Sequence, residues 1–278
     1  MLILTQIVNS IRAVTFDLWE TLLFERDGAS DSRNARRCEN VAKALGKFGM
    51  KVSANDVDLA TKEMISALLP LWERNRDVST LEELQLLVKY VSNGKVELKH
   101  EWAKELTSAY VSAVFEVPPN LNPDAEHVLM WLRNRGNRIG LICNTGITPG
   151  NALRQLLDNG GLAGYFDTMI FSNEVGIRKP DPEIFHLATE KLRVKASQAV
   201  HIGDNLKADV WGAKNAGFKT IYFDSEEGKD RIAEANPASL VAQSRKIGTL
   251  NKDQVTADRK VTSFKTIPRT IEELAKSL

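Results

Sequence analysis

Residues 14–23 read VTFDLWETLL. The apolar run, extended back to Arg12 as RAVTF, ends on a carboxylate, Asp17. A short continuous apolar run bounded by a polar residue is the pattern of a buried strand, and it delivers Asp17 to the strand's carboxyl end. The pattern recurs: RIGLIC runs into Asn144, and AVHIG runs into Asp204. YFDTMIFS and KTIYFD read as further strands, while DAEHVLMWLRNRG, TPGNALRQLLDNGG, DPEIFHLATEKL and ADVWGAKNAG read as helices. Such alternation predicts an α/β fold, a parallel sheet with helices on both faces and right-handed crossovers. Ligands bind such sheets beyond the carboxyl ends of the strands. Asp17, Asn144, Thr145 and Asp204 all fall there.

The stretch from about residue 30 to 118 differs. Val41, Leu45 and Phe48 fall at helical spacing, as do Leu81, Leu84, Val88 and Val91, and again Trp102, Leu106, Ala109 and Ala113. Ser53 and Asn55 are start signals for another helix. Four or five helices and no strand are expected. VPPNLNP at 117–123 ends the helical run, because each proline lacks a donor and restricts its predecessor.

The 278 residues are 43% hydrophobic and 26% charged, with a net charge of +1. This is globular composition without the basic excess of a nucleic-acid binder. Arg33, Arg36 and Arg37 read as a solvated helix face, and Trp72, Arg74 and Arg76 as helix surface. Cys38 and Cys143 are far apart in sequence and suggest buried thiols rather than a disulfide framework. No apolar run has the length of a membrane span. The opening MLILTQIVNSIR lacks the features of a secretory signal, so a short segment before the first strand and a cytoplasmic location are expected. No nucleic-acid or membrane partner is expected, and nothing in the sequence sets an oligomeric state.

Three segments carry the chemistry: FDLWETL (16–22), GIRKPDPEIF (176–185) and HIGDNLKAD (201–209). They bring Asp17, Asp204 and Asp209 to one sheet edge. Two like charges 4 Å apart repel by about 4 kcal/mol at an effective dielectric near 20. Three ionised carboxylates therefore need cations, which Lys179 and a magnesium ion would supply.

With these motifs the sequence resembles the haloacid dehalogenase superfamily of aspartate-nucleophile hydrolases. PPNLNPDAEHVLMWLRNRGNRIGLICNTG is similar to the approach to that family's second motif, KPDPEIF to its third and HIGDNLKADVWGAKNAG to its fourth. ADRKVTSFKTIPRTIEEL is similar to its closing strand and helix. The resemblance implies a Rossmann-like core formed by residues 1–24 and 119–278, with an all-helical cap at 25–118 that closes over the site. It implies Asp17 as nucleophile and magnesium ligand, with the Trp19 carbonyl and Asp204 as further ligands. Asp209 would hold a metal-bound water or Lys179, and Lys179 would neutralise the nucleophile and the transferring group. Glu20, Thr21, Cys143, Asn144 and Thr145 would surround the phosphate, with backbone groups of Asn144, Thr145 and Gly146 as its cradle.

The departures matter equally. Phosphatases of the family place an aspartate two residues after the nucleophile as general acid, and here that position is Trp19, which is read as a lid or pocket plug or as a substrate contact. The usual neighbouring glycine is Glu20, expected to face the cap. Cys143 replaces a serine or threonine. The dehalogenase branch also has an aromatic residue at the Trp19 position, but lacks the metal-binding fourth motif. Three functions remain: a magnesium-dependent phosphatase of a small phosphorylated metabolite acting through an aspartyl-phosphate, a 2-haloacid dehalogenase, and a binding protein with little or no turnover. His201, inside a strand, is expected to be a satisfied buried histidine. Residues 225–256 form a longer connection than the resemblance implies.

Overall fold

The computed structural model describes residues 11–225 and 255–276. The expected N-terminal segment and most of the long connection after residue 225 lie outside the described residues. Strand β1 (Ala13–Phe16) is buried along its whole length. Between β1 and the insertion lies the two-residue β2 (Leu23–Phe24). The insertion holds α1 (Ala29–Lys47), α2 (Ala54–Glu73), α3 (Thr80–Val91) and α4 (His100–Glu116). Then come β3 (Asn120–Leu121), α5 (Ala125–Asn134), β4 (Arg138–Cys143), α6 (Gly150–Asn159), β5 (Thr168–Phe171) and the single turn α7 (Ser172–Val175). Next are α8 (Pro182–Leu192), β6 (Ala199–Gly203), a π-helical turn Leu206–Trp211 continued by α9 (Gly212–Asn215), and β7 (Lys219–Phe223). The strand β8 (Arg259–Val261) and the helix α10 (Ile267–Lys276) close the described chain.

The six-stranded sheet has the order β5-β4-β1-β6-β7-β8 and is parallel throughout. β1 is central, with Phe16 paired to Leu141 on β4 and to Ile202 on β6. The chain leaves β1 for β4 and β5 on one side, then crosses to β6, β7 and β8 on the other. The crevice of such a sheet opens where the winding direction changes, which puts Asp17 at its centre. One face is buried under α5, α6 and α10 by a cluster including Phe16, Leu141 and Val200. The other is buried under α8 and α9 by Ile142, Ile170, Ile184 and Phe185.

The insertion has its own apolar cluster, including Val41, Leu45, Met64, Leu68, Leu84, Leu106 and Tyr110. Ser53 is the N-cap of α2 and Ser79 that of α3, each forming a capping box, with Asp56 and Glu82 respectively. No described helix is long and apolar enough to cross a membrane.

Two features depart from the sequence expectation. The boundary at 117–123 contains β3, which pairs antiparallel with β2: Leu23 faces Leu121, and Phe24 faces Asn120. Two-residue strands leave no periodic trace. The arginine group of α1 is not a solvated face either. Arg33 and Arg37 are 5% and 3% exposed, and only Arg36 reaches solvent. Arg33 joins the two chain segments beside β2 and β3: it pairs with Glu25 through two bonds, 2.5 and 3.1 Å, and donates to the Val117 carbonyl at 2.8 Å. Arg37 donates to the Tyr110 carbonyl and to Thr148 Oγ1, both at 3.1 Å.

Candidate active site

Asp17 follows β1, and its N–H extends the ladder to the Ile202 carbonyl at 2.9 Å. Asp204 follows β6, and Asp209 lies on the π-helical turn after it. One carboxylate oxygen from each of the three lies within 4.8 Å of the others. Lys179 reaches into this group from the segment before α8. Its Nζ donates to Asp17 Oδ1 at 2.5 Å and to Asp209 Oδ1 at 2.6 Å. Burial works against the charge of Lys179, but Asp17 and Asp209 outweigh it and raise the ammonium above its usual range. Burial alone would raise Asp209, yet Lys179 and His201 hold it well below the usual carboxylate range. Three carboxylates and one ammonium leave two negative charges. A cluster of hard oxygens with that deficit fits a divalent ion such as magnesium.

Local sequence builds this geometry. A Cβ on Gly203 would lie 2.3 Å from Asp209 Cγ, so only glycine lets that carboxylate fold back over the end of β6. Asp209 is carried on a turn in which the Asn205 carbonyl receives both the Asp209 N–H at 2.9 Å and the Val210 N–H at 3.2 Å. ADVWGAKNAG is therefore not a regular helix from its start, and wide turns of this kind concentrate at functional sites. Asn205 accepts from the N–H groups of Lys207 and Ala208, while its own N–H donates to Asp209 Oδ2 at 2.9 Å. A Cβ on Gly212 would approach Pro180 Cα to 2.8 Å, so the fourth motif packs against the third.

Asn144 holds the Lys179 backbone: its side-chain amide accepts the Lys179 N–H at 2.7 Å and donates to the Lys179 carbonyl at 2.8 Å. Thr145 is buried and its polar groups are engaged. Its N–H donates to Ser172 Oγ at 2.8 Å, its carbonyl accepts from Arg178 Nη1 at 2.6 Å, and its hydroxyl donates to Asp77 Oδ2 at 3.3 Å. Cys143 is fully buried at the end of β4. Trp19 is half-buried, with the Arg33 guanidinium 5.8 Å from its ring centre. Glu20 is half-buried with φ 58°, in the left-handed region that favours glycine. Thr21 is fully buried, and its hydroxyl has no hydrogen-bond partner among the described residues.

Sequence reading missed one residue that couples the insertion to this site. Asp77, in the turn between α2 and α3, has a side chain only 1% exposed. Its carboxylate accepts from Arg178 Nη1 at 2.6 Å, Trp72 Nε1 at 3.0 Å and the Val78 N–H at 3.0 Å, as well as from the Ser172 hydroxyl. Backbone pairing continues the contact: the Asp77 N–H donates to the Gly176 carbonyl and the Arg178 N–H to the Asn75 carbonyl, both at 3.0 Å. Trp72 is thus not helix surface: it is buried under Arg178, whose guanidinium is 4.5 Å from the ring centre. Arg74 and Arg76 are exposed just past the end of α2, and Arg76 pairs with Asp181 at 2.7 Å. Position 178, directly before Lys179, was the only hint; nothing in the sequence around Asp77 separates it from an ordinary loop carboxylate.

A family model described as haloacid dehalogenase-like hydrolase matches residues 11–217. The chain belongs to that family. Among curated relatives of this hydrolase, a glyceraldehyde 3-phosphate phosphatase of Pyrococcus abyssi is 30% identical over 226 residues, covering 77% of this chain and 81% of that protein. A ribulose-1,5-bisphosphate 5-phosphatase of Halopiger xanaduensis is 36% identical over 142 residues, 51% of this chain and 58% of its own length. Among solved structures, a 2-haloacid dehalogenase of Pseudomonas syringae superposes with a TM-score of 0.64 at 23% identity, covering 95% of this chain and 99% of that one. The likeness to that structure concerns the fold.

Proposed function

We propose that this hydrolase is a magnesium-dependent phosphatase of a small phosphorylated metabolite. Residues 1–24 and 119–278 would act as its core and 25–118 as its cap. The observation that carries the reading is the cluster of Asp17, Asp204 and Asp209, with Lys179 2.5 Å from Asp17. Asp17, Asp204 and the Trp19 carbonyl are the proposed ligands, with Asp209 holding a ligating water. Bound magnesium supplies positive charge to the transferring phosphoryl oxygens. Asp17 attacks phosphorus, the bond to the leaving oxygen breaks, and water hydrolyses the resulting aspartyl-phosphate. Lys179 neutralises the charge of Asp17 and adds a fixed cation near the transferring group, an arrangement worth several kcal/mol in a water-excluded site. Trp19 gives the leaving oxygen no proton, so the enzyme favours leaving groups that depart unprotonated.

One observation favours a second reading. Trp19 occupies the position, two residues after Asp17, where a phosphatase carries its acid, and a departing halide needs no acid, which suits a 2-haloacid dehalogenase. The phosphatase relatives and the carboxylate cluster favour phosphoryl transfer. p-Nitrophenyl phosphate and 2-chloropropionate, each assayed with and without magnesium, separate the two. Magnesium-dependent release of p-nitrophenol that Asp17→Asn abolishes supports the phosphatase. Metal-independent release of chloride supports the dehalogenase, and no turnover of either supports a binding protein.

A further inference from the structure

Behind the carboxylate cluster lies a buried histidine. His201 sits in the middle of β6 and is 1% exposed. Its neighbour across the parallel ladder is Thr15 on β1, in direct register, so both side chains leave the same face of the sheet. Thr15 Oγ1 is 2.8 Å from Nδ1 of the imidazole. On the other side, Nε2 is 3.0 Å from Asp209 Oδ1. Phe185 presses on the ring edge-on, with the ring centres 5.1 Å apart. The imidazole is thus held at both nitrogens and along one flank.

The tautomer follows from the partners. Asp209 already accepts from Lys179 and from the Asn205 N–H. An ionised carboxylate only accepts, so Nε2 carries the proton; in the neutral ring Nδ1 then accepts from the Thr15 hydroxyl, which also lies 3.4 Å from the Val200 carbonyl. A line of contacts then runs Thr15–His201–Asp209–Lys179–Asp17 from the sheet interior to the crevice. Asp209 Oδ1 is shared by a neutral donor behind it and a cationic donor in front.

We propose that His201 is a positioning residue of this site, fixing the rotation of the Asp209 carboxylate and thereby the affinity of the cluster for a divalent cation. The proposal rests on the magnesium reading above. Without the Nε2 donor, Asp209 Oδ1 answers to Lys179 alone, and the carboxylate can turn towards the ammonium and away from its place in the cluster. Groups that orient metal ligands from behind typically contribute 10- to 100-fold in affinity.

The test is magnesium affinity, not turnover. Thermal melts of the whole protein across a magnesium titration, checked by competition with terbium luminescence, give the dissociation constant for each variant. His201→Leu removes the donor and keeps an apolar group in the buried slot; it should bind magnesium about 10- to 100-fold more weakly. His201→Gln returns an amide N–H to the region of Nε2 and should recover most of that loss. If His201→Leu does not fold, Thr15→Val keeps the imidazole but removes the hydroxyl that fixes its tautomer, and should weaken magnesium in the same direction. Parental affinity in a folded His201→Leu, or in Thr15→Val where that variant must stand in, overturns the proposal and leaves the phosphatase reading intact. A parent protein that magnesium does not stabilise overturns both.

Discussion

Asp77→Asn tests the junction between the insertion and the sheet. The substitution preserves shape but removes the charge facing Arg178, whose side chain is 5% exposed. Removing one partner of a buried ion pair costs about 3–5 kcal/mol, because the other charge stays buried without compensation. The neighbouring pair Arg76–Asp181 is the internal control. It joins the same two segments at 2.7 Å, but the Arg76 side chain is 50% exposed, and pairs of that kind contribute about 0–1 kcal/mol. Asp77→Asn should therefore destabilise far more than Arg76→Ala. With roughly 2–4 °C per kcal/mol for a chain of this order of size, the expected loss is on the order of 10 °C in Tm. Urea denaturation supplies the free energies, and hydrogen exchange locates the change. Residues 74–79 and 172–178 should exchange faster, while β1 and β6 stay protected. If Asp77→Asn unfolds within 1 kcal/mol of Arg76→Ala, the pair does not hold the junction and the reasoning from burial fails.

Three further outcomes follow from individual residues. Trp19→Asp, once shown to be folded, should raise the rate on alkyl phosphates relative to p-nitrophenyl phosphate, by up to the roughly 10²- to 10⁴-fold a positioned general acid contributes; an unchanged ratio would mean that another group supplies the proton or that phosphoryl transfer is not the reaction. Glu20→Gly should be more stable than Glu20→Ala, since alanine keeps a left-handed backbone that costs an L-residue about 1–2 kcal/mol, and chemical denaturation showing the reverse order contradicts the φ of 58°. Burial raises the Glu83 carboxyl well above its usual range, with Asp77 adding to the effect. The folded state therefore holds this proton more tightly than the unfolded chain, and stability falls as pH rises from the ordinary glutamate value towards the raised one. Glu83→Gln removes that loss, so its Tm relative to the parent should increase between pH 5 and pH 8; a constant difference would show that Glu83 titrates normally.

Five strands of the sheet were legible because they are short apolar runs ending in polar residues, and each of these falls where the pattern put it; β8, which reads RKV, has no such run and was expected from the family resemblance alone. The carboxylates were legible for the same reason: strand ends fix Asp17 and Asp204, and a turn fixes Asp209. What sequence periodicity could not carry was the junction. Arg33 and Arg37 occupy helical positions that look solvated unless the neighbouring elements are known, and their burial is decided largely by Val117, Tyr110 and Thr148, which are distant in sequence. Thr145 could be placed beside the site, but its commitment to Ser172, Arg178 and Asp77 depends on a turn with no periodic signature. Glu20 is instructive in reverse. The family's usual glycine is replaced there by Glu20, and the chain adopts at that position a left-handed backbone, φ 58°, that its side chain does not favour.

The pairing of β2 with β3 bears on how such a molecule can be rebuilt. Chain segments in an antiparallel pair run about 5 Å apart, so residues 25–119 leave and rejoin the sheet at one point, the β2–β3 pair. A two-residue turn is enough to close such a pair. The insertion is therefore an exchangeable module in the topological sense: it can be shortened, replaced or grafted without rerouting any strand that carries a carboxylate. A replacement must meet two conditions. It must begin and end a hairpin's width apart, and it must bring an acceptor to Arg178, which otherwise sits buried with its charge unanswered.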